Sequence, residues 1–287
     1  MKLTSVFFLT LIFGFTISAQ SPSKILSQAE KAMGGSKALK AVTSLRRSGL
    51  IKRSSDGAEG KYLFQTSRPN LLNVSYDLAG FETETGYNGR SGWTRNSRDG
   101  LSTLTGDPSV LLAAAASYRN NLWLRYKDEK AKLTSGGRAV IDGKPVNVLT
   151  LSTPKGASIR LSFDTASGVL IRDEVPMGPT MVTTDYGDYR IVSGVKQPFL
   201  ERITMDGETY EVRHDRIAIN EAIASSEFNF PKTSGEPLPE IATLLKELQA
   251  NEDNVEALID KYSFIQKSIK RELGKDGILR ETGSETV

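Results

Sequence analysis

Cysteine is absent from this 287-residue chain, and histidine occurs once. Without cysteine there is no disulfide, no thiolate zinc site, no iron–sulfur cluster and no thiol nucleophile. A single histidine excludes a His₂ or His₃ metal set, and the HExxH spacing is missing too. Any histidine-based catalytic pair has to rest on His214 alone. No GxSxG elbow, Walker loop or strand-borne GxGxxG is present, so no metal or cofactor site is expected. Basic residues are scattered rather than clustered, which argues against nucleic acid as a partner. Charged residues make up 25% of the chain, an ordinary globular share, so the whole chain is not disordered.

The one long apolar run lies at the start. Lys2 supplies a positive end, Val6 to Ile17 is nearly all apolar, and Ser18-Ala19-Gln20 offers small residues for cleavage. This is the pattern of a signal peptide over residues 1–19, cut after Ala19, and it is too short to span a bilayer. No cysteine follows the run, so no lipid anchor is expected there. Export of a soluble, periplasmic protein is the consequence.

The net charge of +3 conceals a division. Residues 20–235 carry 29 Lys and Arg against 23 Asp and Glu, whereas residues 236–287 carry 7 against 11. The change of sign marks a domain boundary near residue 236. Before it lies one module, residues 20–235. After it lies an acidic helical linker, residues 236–287, that opens a second, incomplete module.

Hydrophobic spacing places a helix over Ser23 to Met33, ended by Gly34-Gly35, and a second helical turn over Lys37 to Leu45. From about residue 47 the period becomes two. Tyr62, Phe64 and Thr66 share one parity; so do Leu72, Val74 and Tyr76 beyond the breaker Arg68-Pro69-Asn70. Some ten or eleven such runs, separated by Gly, Asn, Asp and Pro, indicate antiparallel hairpins. Asp107-Pro108 opens a helix among them, with four alanines at 113 to 116. A helix-like stub follows at Asn220 to Ser225. In the tail, Ile241, Leu244, Leu245 and Leu248 form a helical stripe, and Gly274-Lys275-Asp276-Gly277 reads as a hairpin turn. The fold class is mainly β (α+β): a curved antiparallel sheet forming an unclosed barrel, helices as its lid, and a C-terminal helical and hairpin extension. Such a barrel can enclose a ligand cavity.

Chemistry-bearing groups are few. Asp185 and Asp188 flank Gly187, and His214 lies in a strand; a hydrolase would have to use these, although an isolated histidine without positioned partners is a poor catalyst. More conspicuous are the apolar and aromatic residues on strand faces and on the inserted helix. Tyr62, Phe64, Val74, Tyr76, Phe81, Trp93, Trp123, Ile159, Leu161, Phe163, Val169 and Tyr186, with Leu111, Leu112, Ala115 and Tyr118 of the helix, are the candidate lining of a hydrophobic cavity. An ordinary packed core explains them equally well at this stage.

Several short pieces together resemble a known family. They are Ala32-Met33-Gly34-Gly35, Ala38-Leu39-Lys40-Ala41-Val42, Tyr87-Asn88-Gly89 with Gly92-Trp93, Asp185-Tyr186-Gly187-Asp188-Tyr189-Arg190, and Gly194-Val195-Lys196-Gln197-Pro198. Over about residues 22 to 231 the chain resembles the bacterial outer-membrane lipoprotein-sorting proteins of the LolA/LolB type. The resemblance implies a non-catalytic periplasmic carrier or chaperone, with no cofactor. It implies lipoprotein or lipid acyl chains as cargo, and inner- or outer-membrane proteins as possible partners. It further implies a basic residue that helps control the lid; Arg46, Arg47 and Lys52 lie in the corresponding stretch without one being singled out. The acidic tail departs from the simple carriers and leaves open an RseB-like envelope sensor on the same scaffold.

Overall fold

The computed structural model describes residues 20–231, 246, 249–250, 252–253, 267–273 and 279–286. The chain divides into two compact units after Pro231. The expected signal peptide and the tail's helical stripe fall outside the described residues.

The first unit begins with two helices, α1 (Pro22–Ala32) and α2 (Ser36–Ala41). Six strands follow: β1 (Ser44–Arg53), β2 (Glu59–Ser67), β3 (Leu71–Leu78), β4 (Phe81–Tyr87), β5 (Gly92–Asn96) and β6 (Gly100–Leu104). Helix α3 (Gly106–Arg119) interrupts them. Seven more strands complete the unit: β7 (Lys132–Ile141), β8 (Lys144–Ser152), β9 (Ser158–Asp164), β10 (Leu170–Met177), β11 (Thr180–Val192), β12 (Val195–Met205) and β13 (Glu208–Ile219). A 3₁₀ turn, Ser225–Phe228, ends it. The second unit contributes the antiparallel hairpin of β14 (Lys267–Leu273) and β15 (Leu279–Thr286). The strands number more than the ten or eleven expected. The second helix also stops at Ala41, and Leu45 already belongs to β1.

All thirteen strands of the first unit form one antiparallel sheet in the order β6-β5-β4-β3-β2-β1-β13-β12-β11-β10-β9-β8-β7. Every neighbour is a sequence neighbour except at one seam, where β1 pairs with β13. The sheet does not close: β6 and β7 are its two free edges. Helix α3 connects these edges and packs against β10 and, more lightly, against β3, β4 and β5. Ala115 and Ala116 are fully buried there. Their small side chains let the helix axis approach the sheet, and Leu112 anchors it in the core. The expected start at Asp107 lies one turn position later than observed; the helix begins at Gly106, with Asp107 in its first turn.

Alternation sorts residues cleanly between the two faces of the sheet. Phe64, Val74, Thr85 and Thr94 stand opposite one another across β2 to β5 and point inward. Gln65, Asn73, Gly86 and Trp93 occupy the next register and point outward. That outer row is covered by residues 225–230. Glu227 accepts hydrogen bonds from Arg46 (2.7 Å) and Gln65 (2.6 Å), and Trp93 donates from Nε1 to the Phe228 carbonyl (3.4 Å). Gly86 is required beneath the indole: a Cβ there would lie 2.3 Å from the Trp93 ring.

Candidate functional site: a divided cavity and its charged belt

The inner face of the sheet and α3 enclose two cavities. The larger, of about 210 Å³, is lined by Ile51, Tyr62, Phe64, Val74, Tyr76, Met177, Val182 and Ile203, with Pro179 and Thr180 of the β10–β11 hairpin beside them. The smaller, of about 110 Å³, is lined by Leu45, Phe64, Tyr118, Trp123, Leu161, Phe163 and Tyr186, with Leu39 and Val42 near α2. Arg47, Phe64 and Arg119 line both cavities. The division therefore runs through two guanidinium groups.

Those groups belong to a buried polar belt. On the sheet side, Arg47 donates to Glu201 Oε1 (2.5 Å) and to Gln197 Oε1 (2.9 Å). His214 Nε2 comes within 3.1 Å of the same Glu201 oxygen, at an angle that falls short of an aligned hydrogen bond. On the helix side, Asp173 accepts from Arg119 (2.7 Å), from the Tyr118 hydroxyl (2.8 Å) and from the Tyr186 hydroxyl (2.7 Å). Arg119 also donates to the Tyr186 oxygen (2.6 Å). Asp173 is fully buried and Arg119 nearly so.

Burial alone would raise the Glu201 carboxyl, but Arg47 and His214 outweigh it and hold it down at about 2. It is ionised at any physiological pH. Burial pushes the Tyr118 and Tyr186 hydroxyls well above the usual phenol range, and the Asp173 charge adds to it, so both stay protonated donors. Desolvation disfavours the Arg119 charge, yet Asp173, together with Tyr186 and Tyr118, more than restores it. Within the belt Arg47 is thus paired with Glu201 and Arg119 with Asp173. Burying four charges is costly unless they are paired and hydrogen-bonded, and here they are.

Nine of the sixteen candidate residues line the cavities: Tyr62, Phe64, Val74, Tyr76, Tyr118, Trp123, Leu161, Phe163 and Tyr186. Leu112, Ala115 and Ile159 are packed core, while Leu111 and Val169 are partly exposed and line neither cavity. Two candidates lie away from the cavities. Trp93 is completely buried on the outer face, under Phe228 and Phe230, because its register falls with Gln65 rather than with Phe64. Phe81 stands at a hairpin end, 39% exposed, with the Arg98 guanidinium 5.8 Å from its ring.

Spacing alone missed the belt. Arg47 was one of three basic residues in a short stretch. Arg46 turns outward to Glu227, Lys52 pairs with exposed Glu59, and only Arg47 reaches the interior. Asp173, Glu201 and Arg119 gave no signal, since each lies in an ordinary strand or helix sequence. The hydrolase candidates are dispersed. Asp185 is held by Arg172 (2.8 Å), Asp188 by Arg190 (3.1 Å), and the His214 side chain is wholly enclosed. Each carboxylate has its own arginine, and the imidazole faces neither.

An unclosed antiparallel sheet around a helix, with a divided apolar interior, is the class of structure this chain forms. No family model matches the chain, and no curated protein does. The resemblance expected from the sequence does recur among solved structures. A structure described as an outer membrane lipoprotein-sorting protein domain, from Vibrio parahaemolyticus, is 10% identical over 72% of this chain and 97% of that one, with a TM-score of 0.46. A LolA superfamily protein from Nitrosomonas europaea is 15% identical over 74% and 99%, with a TM-score of 0.44. A DUF1329 family protein from Desulfovibrio piger is 10% identical over 73% and 98%, with a TM-score of 0.47. At scores below 0.5 these likenesses carry no weight for the chemistry, which rests on the cavities themselves. Among the described residues no helix is long and apolar enough to cross a membrane.

Proposed function

We propose that the chain is a non-catalytic binding protein that holds acyl chains, of a lipoprotein or another lipid, in the divided interior beneath α3. The observation that carries this reading is the pair of cavities, walled largely by apolar and aromatic side chains, that meet at Phe64 between sheet and helix. Each methylene buried there gains about 0.8 kcal/mol, so a chain of moderate length is held firmly without a covalent step. The sequence of residues 1–19 fits export and supports a periplasmic role, in which a carrier would take up and deliver its cargo between membrane partners. The dispersal of Asp185, Asp188 and His214 supports a role without catalysis.

The two tryptophans make the test internal. Trp123 lines the smaller cavity, whereas Trp93 is sealed on the outer face. Adding an acylated peptide should shift the emission of a Trp93→Phe variant and leave that of a Trp123→Phe variant unchanged. Constant emission in both, with no retention of labelled lipid on gel filtration, counts decisively against an acyl carrier.

One observation favours a sensor on the same scaffold. Every residue of β14 is exposed, and Leu273 and Leu279 present apolar side chains to solvent. A partner-binding tail would look so. We assign residues 236–287 to such an appendage; deleting them should abolish partner contact in a sensor and leave lipid retention intact in a carrier.

A further inference from the structure

Charge is not spread evenly around the openings of the two cavities. Thr43 is the exposed residue in the lining of the smaller cavity and marks its opening, with Val42, Asn121 and Trp123 half-buried beside it. Four segments meet here: residues 36–43, 67–71, 88–91 and 120–131. Arg68 donates through its backbone N–H to the Thr43 carbonyl (2.9 Å) and through Nη2 to the Lys40 carbonyl (2.9 Å). Arg125 donates to the Pro69 carbonyl (3.0 Å), and Asn120 to the Leu71 carbonyl (2.9 Å). A Cβ on Gly89 would stand 3.4 Å from Asn70 Oδ1, which brings in the turn that bears Arg90. Together the four segments carry seven Lys and Arg against two Asp and Glu. One of those acids, Glu129, is already paired with Arg125. Glu221 approaches through Asn220, which accepts from Thr43, but it is paired with Arg216 (3.2 Å). These basic residues are scattered in the sequence, and the fold gathers them.

The larger cavity opens at Pro179 and Asp206, the exposed residues of its lining. The turns beside that opening, residues 53–58, 77–82 and 205–209, carry five Asp and Glu against Arg53 alone. Arg95 reaches Glu82 from β5 (3.5 Å). Ser54 and Ser55 join the first turn to Thr209 and Glu208, and Tyr76 and Thr83 of the lining flank the second. The two openings are therefore of opposite sign.

The basic opening also has aromatic residues with a polar tip. Trp123 and Tyr126 are both half-buried, and Lys127 Nζ lies 5.9 Å from the Tyr126 ring. Lys and Arg interleaved with Trp and Tyr suit an anionic lipid surface: the charges are drawn to the headgroups, and rings with one apolar and one polar end settle at their level. An acidic protein surface would call for the charges alone. The same lipid surface repels the acidic opening, so the attraction also orients the molecule.

We propose that residues 36–43, 67–71, 88–91 and 120–131 form a docking surface for an anionic lipid bilayer. Docking sets the opening of the smaller cavity against the headgroups and turns that of the larger cavity away from them. This goes beyond the acyl-binding reading and does not depend on what the cavities hold.

The test is flotation of the full chain with vesicles of equal parts phosphatidylcholine and phosphatidylglycerol, and with vesicles of phosphatidylcholine alone. The chain should float with the first and not with the second, and high salt should release it. Equal behaviour with both vesicles, no retention by the anionic ones, or retention indifferent to salt overturns the proposal. Lys37, Lys40 and Lys127 are exposed and have no ion-pair partner among the described residues. Each lysine near an anionic surface contributes about fivefold, so replacing all three by glutamine should weaken binding to the anionic vesicles about a hundredfold. Lys52→Gln, Lys61→Gln and Arg98→Gln together remove the same charge from the exposed surface elsewhere and should weaken it less than about fivefold. Equal losses in the two triple variants assign the effect to net charge and overturn the docking surface. Residues 1–19 are common to all variants, so differences among them report the surface itself. If a variant does not fold, the two vesicle compositions still decide on the parent chain. The acyl-binding reading is decided separately, by retention of labelled lipid.

Discussion

Arg46 and Arg47 are adjacent in β1, identical in chemistry, and opposite in fate. Arg46 points outward and pairs with Glu227 on a surface where the two side chains are 26% and 40% exposed. Arg47 points inward and pairs with Glu201, at 13% and 5%. The outer pair helps to fasten residues 225–230 over Trp93. The inner pair belongs to the buried belt that divides the cavity. Alternation along a strand is enough to turn one residue type into a surface fastener at one position and a buried ligand-facing group at the next. The medium then sets the worth of each pair: water weakens the outer one, and burial makes the inner one indispensable once formed.

The strongest way to break this comparison is to unbalance the belt. Asp173→Ala strands Arg119 and removes the acceptor for two buried tyrosines, so it should cost about 3–5 kcal/mol in denaturant unfolding. A loss below about 1 kcal/mol would mean that the belt is no more important than a surface pair. Next comes acid. Glu201 titrates at about 2 in the folded protein against an ordinary 4.5. Its contribution is therefore complete above about pH 4.5 and is lost as pH falls toward 2, a change on the order of 3 kcal/mol. Stability of a folded Glu201→Gln variant measured across that window should slope less steeply than the parent's; parallel curves would separate Glu201 from the acid sensitivity. The smallest effect belongs to the outer pair. Arg46→Ala should lower stability by less than about 1 kcal/mol, and by less still in high salt. A larger, salt-independent loss would place Arg46 with the buried pairs.

What could be read in advance follows the same division. Helix α1, the alanine-rich α3 and the run of hairpins were legible because spacing and turn residues are local properties. Tyr62 and Phe64, and likewise Val74 and Tyr76, could be grouped by parity because parity within a strand is also local, and the four share the inner face. Parity does not say which face becomes concave. Trp93 looked like a companion of Phe64, yet pairing through β3 and β4 sets it beside Gln65 and Asn73, on the far side. The belt was harder still. Its members come from β1, α3, β10, β11, β12 and β13, and Arg47 meets Glu201 across 154 positions of chain. Arg46, Arg47 and Lys52 are equivalent until β1 acquires a neighbour on each side.

The seam between β1 and β13 also bears on how the chain is made. β1 is synthesised first among the strands, while its partner is the last of the sheet, with Thr43 and Asn220 bonded over 177 positions. While the intervening strands pair off as hairpins, β1 has one ladder edge uncovered. A waiting edge invites a second nascent chain to pair with it. β1 carries Arg46, Arg47, Lys52 and Arg53 among its ten residues. Two such strands from different molecules would repel each other, whereas β13 brings Glu211 directly opposite Lys52. The positive charge of the first strand thus disfavours its pairing with a second copy of itself while β13 has yet to be made.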